Sequence, residues 1–461
     1  VVCCLLFVVF VGDFMMKFVL FALCLVVVVF GEPQPKPFEK PPSQEGNTKE
    51  WAYSHIQDHL HGFGADENKD HCKDYPCCFL QNSTDGCAFT DFTTESSTLV
   101  FPGGKTKCIF GDSSDYAFQV WPGDNDKILI YFQGGGACWD HGSTTPTPFC
   151  TTSIYPQPEK GVFVRNDPDN KFSQYTIVHL LYCSGDLFAG NTTRPYTHGG
   201  EPVTQFGQEN VHATYEWIKA QQEAGNFPAK FTDLVVMGQS AGSIGAQVWA
   251  GEILQFIGYE KASVNPDSYL GVFPPNSQGP LIYNFGACGA GNISALHIPD
   301  YLYQMCLNET LTLQNITAYW LSAFPDVPFG FIESKADTTQ ISFYSALAIS
   351  IGDNPILTEN EFYNRANAIM EMYNVYDNFV VYLVDGSQHT FTPNKLYYEA
   401  GPDGPRQKDP KTGQIMLDVW VPDFPLSSGD TAMTICDGKD EEDINPKYCD
   451  ENLVGKTYTQ P

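Results

Sequence analysis

The feature that most constrains this chain is the pentapeptide Gly238-Gln239-Ser240-Ala241-Gly242, together with what stands on either side of it. Residues 233–237 (DLVVM) form a short apolar, β-branched run of the kind a buried parallel strand requires. Residues 241–255 then place apolar side chains at helical spacing. A strand that turns into a helix across GxSxG is a nucleophile elbow. Its flanking residues must be small because the turn is strained and the helix packs close to the strand, and the Ser240 hydroxyl is left standing above the sheet edge. The competing reading is a chance match in a chain with 40 glycines. The strand and helix context favours the elbow.

Further apolar runs repeat the pattern at 127–132 (KILIYF), 175–182, 234–237, 327–332 and 379–384, with helical spacing at 210–222 and 241–255. Continuous apolar strands separated by helices predict a mostly parallel sheet covered on both faces, hence an α/β, α/β-hydrolase-like fold. The 461 residues exceed the roughly 250–300 that one core serves, so extensions are expected. The segmentation is a signal peptide over 1–31, a flexible linker over 32–50, a Cys-rich extension over 51–95, a catalytic domain over 96–435 and an acidic, solvated tail over 436–461 that a Cys436–Cys449 bond would close.

The leader reading rests on Lys17, an apolar run from 18 to 30, and small Gly31 before a proline-rich stretch; that run is too short to span a bilayer. Residues 1–14 are read either as spurious upstream translation or, if real, as part of an uncleaved anchor. Of 15 cysteines, Cys3, Cys4 and Cys24 fall in the leader, which leaves twelve, an even number that suggests disulfides in an exported chain. Sequons at Asn82, Asn191, Asn292, Asn308 and Asn315 agree with passage through a secretory pathway. The net charge of −29 argues against nucleic acid and anionic membrane surfaces as partners. No stable membrane insertion is expected once the leader is cut.

A serine nucleophile needs a base, a carboxylate to orient that base, and donors for the oxyanion. In α/β-hydrolases these follow in the order nucleophile, acid, histidine. Ten histidines are present, and only His389, in the loop after strand 379–384, lies beyond residue 297. For the acid, Asp337 follows strand 327–332, with Asp385 and Asp326 as competitors. Asp385 is four residues from His389 in one loop, a poor position for reaching the far imidazole nitrogen. Gly134-Gly135-Gly136 follow strand 127–132 and allow backbone amides to approach a substrate, with the Ala241 N–H as partner donor. The run lacks the ending of a P-loop and the spacing of a dinucleotide site. His55, His59, His61 and His71 surround Asp66, Asn68 and Asp70, a D-x-N-x-D start. Its sixth position is His71 instead of Gly and its twelfth is Cys77 instead of Glu, so it departs from a calcium loop. No metal and no cofactor is expected.

YFQGGGACWD (131–140), YCSGDLFAGN (182–191), GQSAGS (238–243), FIESKADTTQ (331–340) and DGSQHTF (385–391) resemble, in order and spacing, the pectin acetylesterase family over residues 96–395. That family also includes deacylases of lipidated proteins. The resemblance implies an α/β-hydrolase-like fold, export and a cofactor-free serine esterase, with nucleophile Ser240, acid Asp337, base His389 and oxyanion donors Gly135, Gly136 and Ala241. It also implies an acylated, chiefly acetylated carbohydrate as substrate. Gln133 and Ala137 stand where plant members have Glu and Trp, and GQSAGS stands for GCSAGG, a form closer to microbial members. Short acyl groups are expected, and deacylation of a lipidated protein is the variant. A catalytically inactive hydrolase-fold surface module is the reading from another class.

Overall fold

The computed structural model describes residues 49–61, 70–84, 86–111, 116–288, 298–401, 404–405, 417–420, 424–436, 453 and 456–461. The leader, almost all of the linker, Asp66, Asn68, the sequon at Asn292 and Cys449 lie outside the described residues.

Among the described residues the first elements are α1 (Lys49–His61), β1 (Cys77–Phe79), β2 (Thr98–Phe101), β3 (Phe118–Trp121) and β4 (Asp124–Phe132). Next come α2 (His141–Thr144), β5 (Tyr175–Leu180), the hairpin β6 (Thr192–His198) and β7 (Glu201–Gln205), and α3 (Gly207–Glu223). The elbow unit is β8 (Phe231–Gln239) and α4 (Ala241–Phe256), followed by β9 (Tyr259–Asp267). Helices α5 (Gln278–Asn284), α6 (Asp300–Leu307) and α7 (Leu313–Ala323) lead to β10 (Phe329–Ser334). After α8 (Thr338–Ile351), α9 (Glu359–Tyr373) and β11 (Phe379–Val384) come α10 (Leu396–Glu399), the short pair β12 (Ala400–Gly401) and β13 (Gly404–Pro405), and α11 (Leu417–Trp420). The chain ends with β14 (Thr431–Met433), β15 (Ile435–Cys436) and β16 (Thr457–Thr459).

Ten strands form one sheet in the order β1-β2-β3-β5-β4-β8-β9-β10-β11-β15. Every neighbouring pair is parallel except the two that involve β3, so β3 alone runs against the rest. Side chains alternate across a strand, and here both faces are buried. Leu234 and Val236 of β8 enter one core with Trp217, Trp249, Trp320 and Phe362 of α3, α4, α7 and α9. Val235 and Met237 enter the other with Phe163, Tyr397, Trp420 and Phe424. The α/β fold is therefore observed, with long helices on one face and short helices and loops closing the other. Fully burying such a side chain is worth roughly 1.5–3 kcal/mol, which explains why those strands are apolar on both faces.

The tail differs from the solvated one expected. β16 pairs antiparallel with β14 and buries Tyr458, because an aromatic residue between threonines fits a half-buried edge strand. Among the described residues five disulfides join Cys72–Cys77, Cys78–Cys87, Cys108–Cys183, Cys138–Cys150 and Cys288–Cys306. Cys436 is also disulfide-bonded. Among the described residues no helix is long and apolar enough to cross a membrane.

Candidate active site

The elbow forms because β8 and α4 meet with almost no room between them. Ser240 takes φ 55° and ψ −124°, a left-handed conformation that a non-glycine residue adopts only when its surroundings impose it. A Cβ added to Gly238 would lie 2.2 Å from Gly242 O, and one added to Gly242 would lie 2.0 Å from Phe132 O. Both flanking positions of the pentapeptide therefore admit only glycine. Ser240 itself is only 4% exposed.

The glycine loop lies directly over this turn. A Cβ on Gly134 would come 2.9 Å from Ser240 Cβ. Gly135 and Gly136 have φ of 149° and 70°, and the strand-like bridge from this loop to Cys150 uses Ala137 N donating to Phe149 O and Thr151 N donating to Gly135 O. The Gly135 and Gly136 amides take no part in those bonds. Cys138–Cys150 closes the loop, and Cys138 N donates to Gly185 O at 2.8 Å.

His389 and Asp337 meet across two loops. His389 Nδ1 lies 2.6 Å from Asp337 Oδ2. Asp337 is the N-cap of α8: its Oδ1 accepts from Gln340 N at 2.9 Å, and its Oδ2 also accepts from Gln340 Nε2 at 3.0 Å. Asp385, the competing acid, is instead paired with buried Lys335 at 2.6 Å. Asp326 accepts from Gln460 Nε2 through its carbonyl, among the tail residues. His389 Nε2 makes no hydrogen bond among the described residues, so the Ser240–His389 link is not formed in this structure.

Beneath Ser240 lies an apolar cavity of about 40 Å³ lined by Gly136, Ala137, Trp139, Ser240, Ala241, Tyr269, Phe343 and Leu347 among others. A second chamber of about 50 Å³ continues from it toward Val248, Ile282, Leu311 and Ile316. Leu187, Ile244, Phe273 and Leu281 line both chambers and stand between them. Behind this lining packs α1, whose Ala52 and Ile56 are buried in one cluster with Ala137, Trp139, Leu281 and Leu347. α1 packs on α8, and Gln57 Nε2 donates to Pro148 O at 2.9 Å. Its His59 ring meets the His389 ring edge-on, with centroids 5.0 Å apart.

Burial and charge act on several groups around this centre. Burial, then the neighbouring Asp337 charge, pushes the Glu333 carboxyl well above its usual range. Glu333 Oε1 accepts from Gln340 Nε2 at 2.8 Å, so Gln340 bridges the two acids. Tyr269 is pushed up by burial and by the charges of Asp337 and Glu333. His59 is held down to about 3 by burial, then by His389 and His55. Glu333 and Gln340 fall inside the 331–340 segment, but only Asp337 of that segment is read there as functional, and the lining residues Phe273 and Phe343 lie in no motif. His59 stood out only within the histidine-rich stretch. Among the described residues no cluster of potential metal ligands occurs.

Asn82 and Asn308 are exposed, and Asn191 is half-buried. Asn315 is engaged in the cap of α7, where its Oδ1 accepts from Thr312 N at 3.0 Å.

Fold and centre together define an α/β-hydrolase-like protein with a serine at a strained elbow. No protein-family model and no curated protein matches the chain. Solved structures do, 347 chains in all. Among them is the Wnt deacylase Notum from Drosophila, with a TM-score of 0.43 and 16% identity, over 68% of this chain and 88% of that one.

Proposed function

We propose that this chain is an exported serine carboxylic-ester hydrolase. The observation that carries the reading is the His389–Asp337 contact of 2.6 Å, in a protein that also places Ser240 at a strained elbow under a glycine loop. Ser240 Oγ attacks the acyl carbonyl while His389 Nε2 takes its proton and Asp337 stabilises the resulting imidazolium through Nδ1. The amides of Gly135, Gly136 and Ala241 receive the oxyanion. The proton on Nε2 then goes to the leaving alcohol, and water repeats the sequence on the acyl-enzyme.

The cavity sets the acyl size. At about 40 Å³ and with Trp139, Phe273, Phe343 and Leu347 in its walls, it is small and apolar, which supports a short acyl chain. That supports deacetylation of a polysaccharide of the pectin type, with an acylated carbohydrate as partner. The second chamber favours the other reading, deacylation of a lipidated protein, if the side chains between the chambers yield. Five disulfides support an oxidising, extracellular setting.

Labelling with a fluorophosphonate, followed by rates on p-nitrophenyl esters from acetate to octanoate, tests this. The expected result is labelling of Ser240 and a decline in kcat/KM beyond butyrate. A steady rise to octanoate moves the substrate to long-chain esters, and failure to label removes the hydrolase.

A further inference from the structure

Ser240 and His389 share no hydrogen bond in this structure, yet Ser240 and the residues that follow His389 are tied to one residue, Asp267, the last of β9. β9 lies between β8 and β10, with Asp267 in register with Gln239 on one side and Ile332 on the other. Its carbonyl oxygen accepts from Ser240 N at 2.9 Å. Its carboxylate reaches the opposite way. Oδ2 accepts from Phe391 N at 2.9 Å and from both Thr392 N and Thr392 Oγ1 at 2.7 Å. Oδ1 accepts from Ser268 Oγ at 2.7 Å, and that hydroxyl oxygen accepts from Thr390 N at 2.9 Å. All three residues after His389 are therefore bonded to Asp267 or to its neighbour. Since the Thr392 hydroxyl donates to Asp267, Tyr131 must donate to Thr392 Oγ1, at 2.8 Å.

Backbone conformation points the same way. Ser240, Ser268 and Thr390 have φ of 55°, 61° and 65°, left-handed values at three non-glycine residues of one network. Such conformations persist only where the surroundings over-determine them, and they gather where geometry matters for function. The carboxylate is fully buried, and all four of its donors are neutral. An amide in its place would turn an NH₂ group toward amides and hydroxyls that themselves donate, so only a carboxylate satisfies this set.

We propose that Asp267 is a positioning residue for the ester hydrolysis proposed above, on which this inference rests: it clamps the loop that carries His389 to the turn that carries Ser240. Asp337 orients the imidazole ring, and Asp267 sets where the ring stands. A small displacement of a catalytic group is enough to cost about 100-fold in rate.

The test uses the full chain. In Asp267→Asn, kcat per fluorophosphonate-titrated site is expected to fall about 10- to 100-fold, while KM for a short-chain ester stays within about twofold, since the cavity walls are untouched. The downfield proton resonance of the His389–Asp337 hydrogen bond is expected to weaken or broaden. A merely structural residue would lower the yield of folded protein and leave both kcat per titrated site and that resonance unchanged; this result overturns the proposal. If Asp267→Asn does not fold, Ser268→Ala and Thr392→Val each remove one link, and unchanged kcat per site in both likewise overturns it. Failure of the hydrolase reading looks different, because wild type would then neither label nor turn over. The resonance needs no substrate and still decides for or against the clamp.

Discussion

The two halves of the candidate site are held in opposite ways. The elbow is fixed by crowding: Gly238, Ser240 and Gly242 lie within five residues, and the close approach of β8, α4 and Phe132 of β4 leaves the turn no room to relax. The His389 loop has no comparable local support. It is held by Asp337, 52 residues away, and by Asp267, 124 and 125 residues from the backbone amides it binds. Rigidity at a catalytic centre can thus come from steric necessity in one stretch of chain or from buried charge delivered by another.

The comparison breaks most completely at the nucleophile. Ser240→Ala is expected to lower kcat by about 10⁶, with Tm and secretion kept, because the change removes one hydroxyl from a turn that sterics already fix. More than a tenth of wild-type activity would remove Ser240 from the mechanism. On the other side, Asp337→Asn is expected to cost about 10⁴ in kcat, less than loss of the serine, because the ring loses its orienting charge but remains in place. An unchanged kcat in Asp337→Asn would mean that the base loop needs no outside carboxylate.

Between the halves lies the acyl cavity. Phe273→Ala is expected to merge its chambers and move the preferred ester from butyrate toward octanoate, by up to about 15-fold in kcat/KM per two-carbon step, since each buried CH₂ is worth about 0.8 kcal/mol. Steady-state rates on the ester series read this directly, and an unchanged chain-length profile would separate the second chamber from the first.

The smallest expected effect is on pH. His59, pressed against His389 and beside His55, is held down to about 3 in the fold, below the ordinary 6.5 of an unfolded imidazole. Between those values the unfolded chain binds a proton that the folded one refuses, so stability falls as pH drops from 6.5 toward 3. Protection factors of the α1 amides, corrected for the intrinsic pH dependence of exchange, should fall over that window in wild type and change less in His59→Gln, while α4 amides show no such difference.

How far the sequence foretold this follows the same division. GxSxG, the glycine loop and β11 stand out because their signals are local, and β11 spans the residues its apolar run predicts. β9 is invisible, for it carries Glu260, Lys261, Asn265 and Pro266, and proline argues against a central strand. It survives there because Pro266 stands at the strand's end and Ser263 Oγ donates to buried Asn265 Oδ1 at 2.9 Å. Asp267 was hidden with it. α1 was missed because polar residues interrupt its apolar face and its partner lies far along the chain.

That last separation bears on how the protein is made. The apolar face of α1, with Ala52 and Ile56, packs toward α8, which begins at Thr338, some 277 residues after His61. At about 5–20 residues per second, the ribosome delivers α8 roughly 15–55 s after α1. Ala137, Trp139 and Phe149 of the same cluster emerge earlier and cover part of that greasy face, yet the acyl cavity cannot close before α8 supplies Phe343 and Leu347.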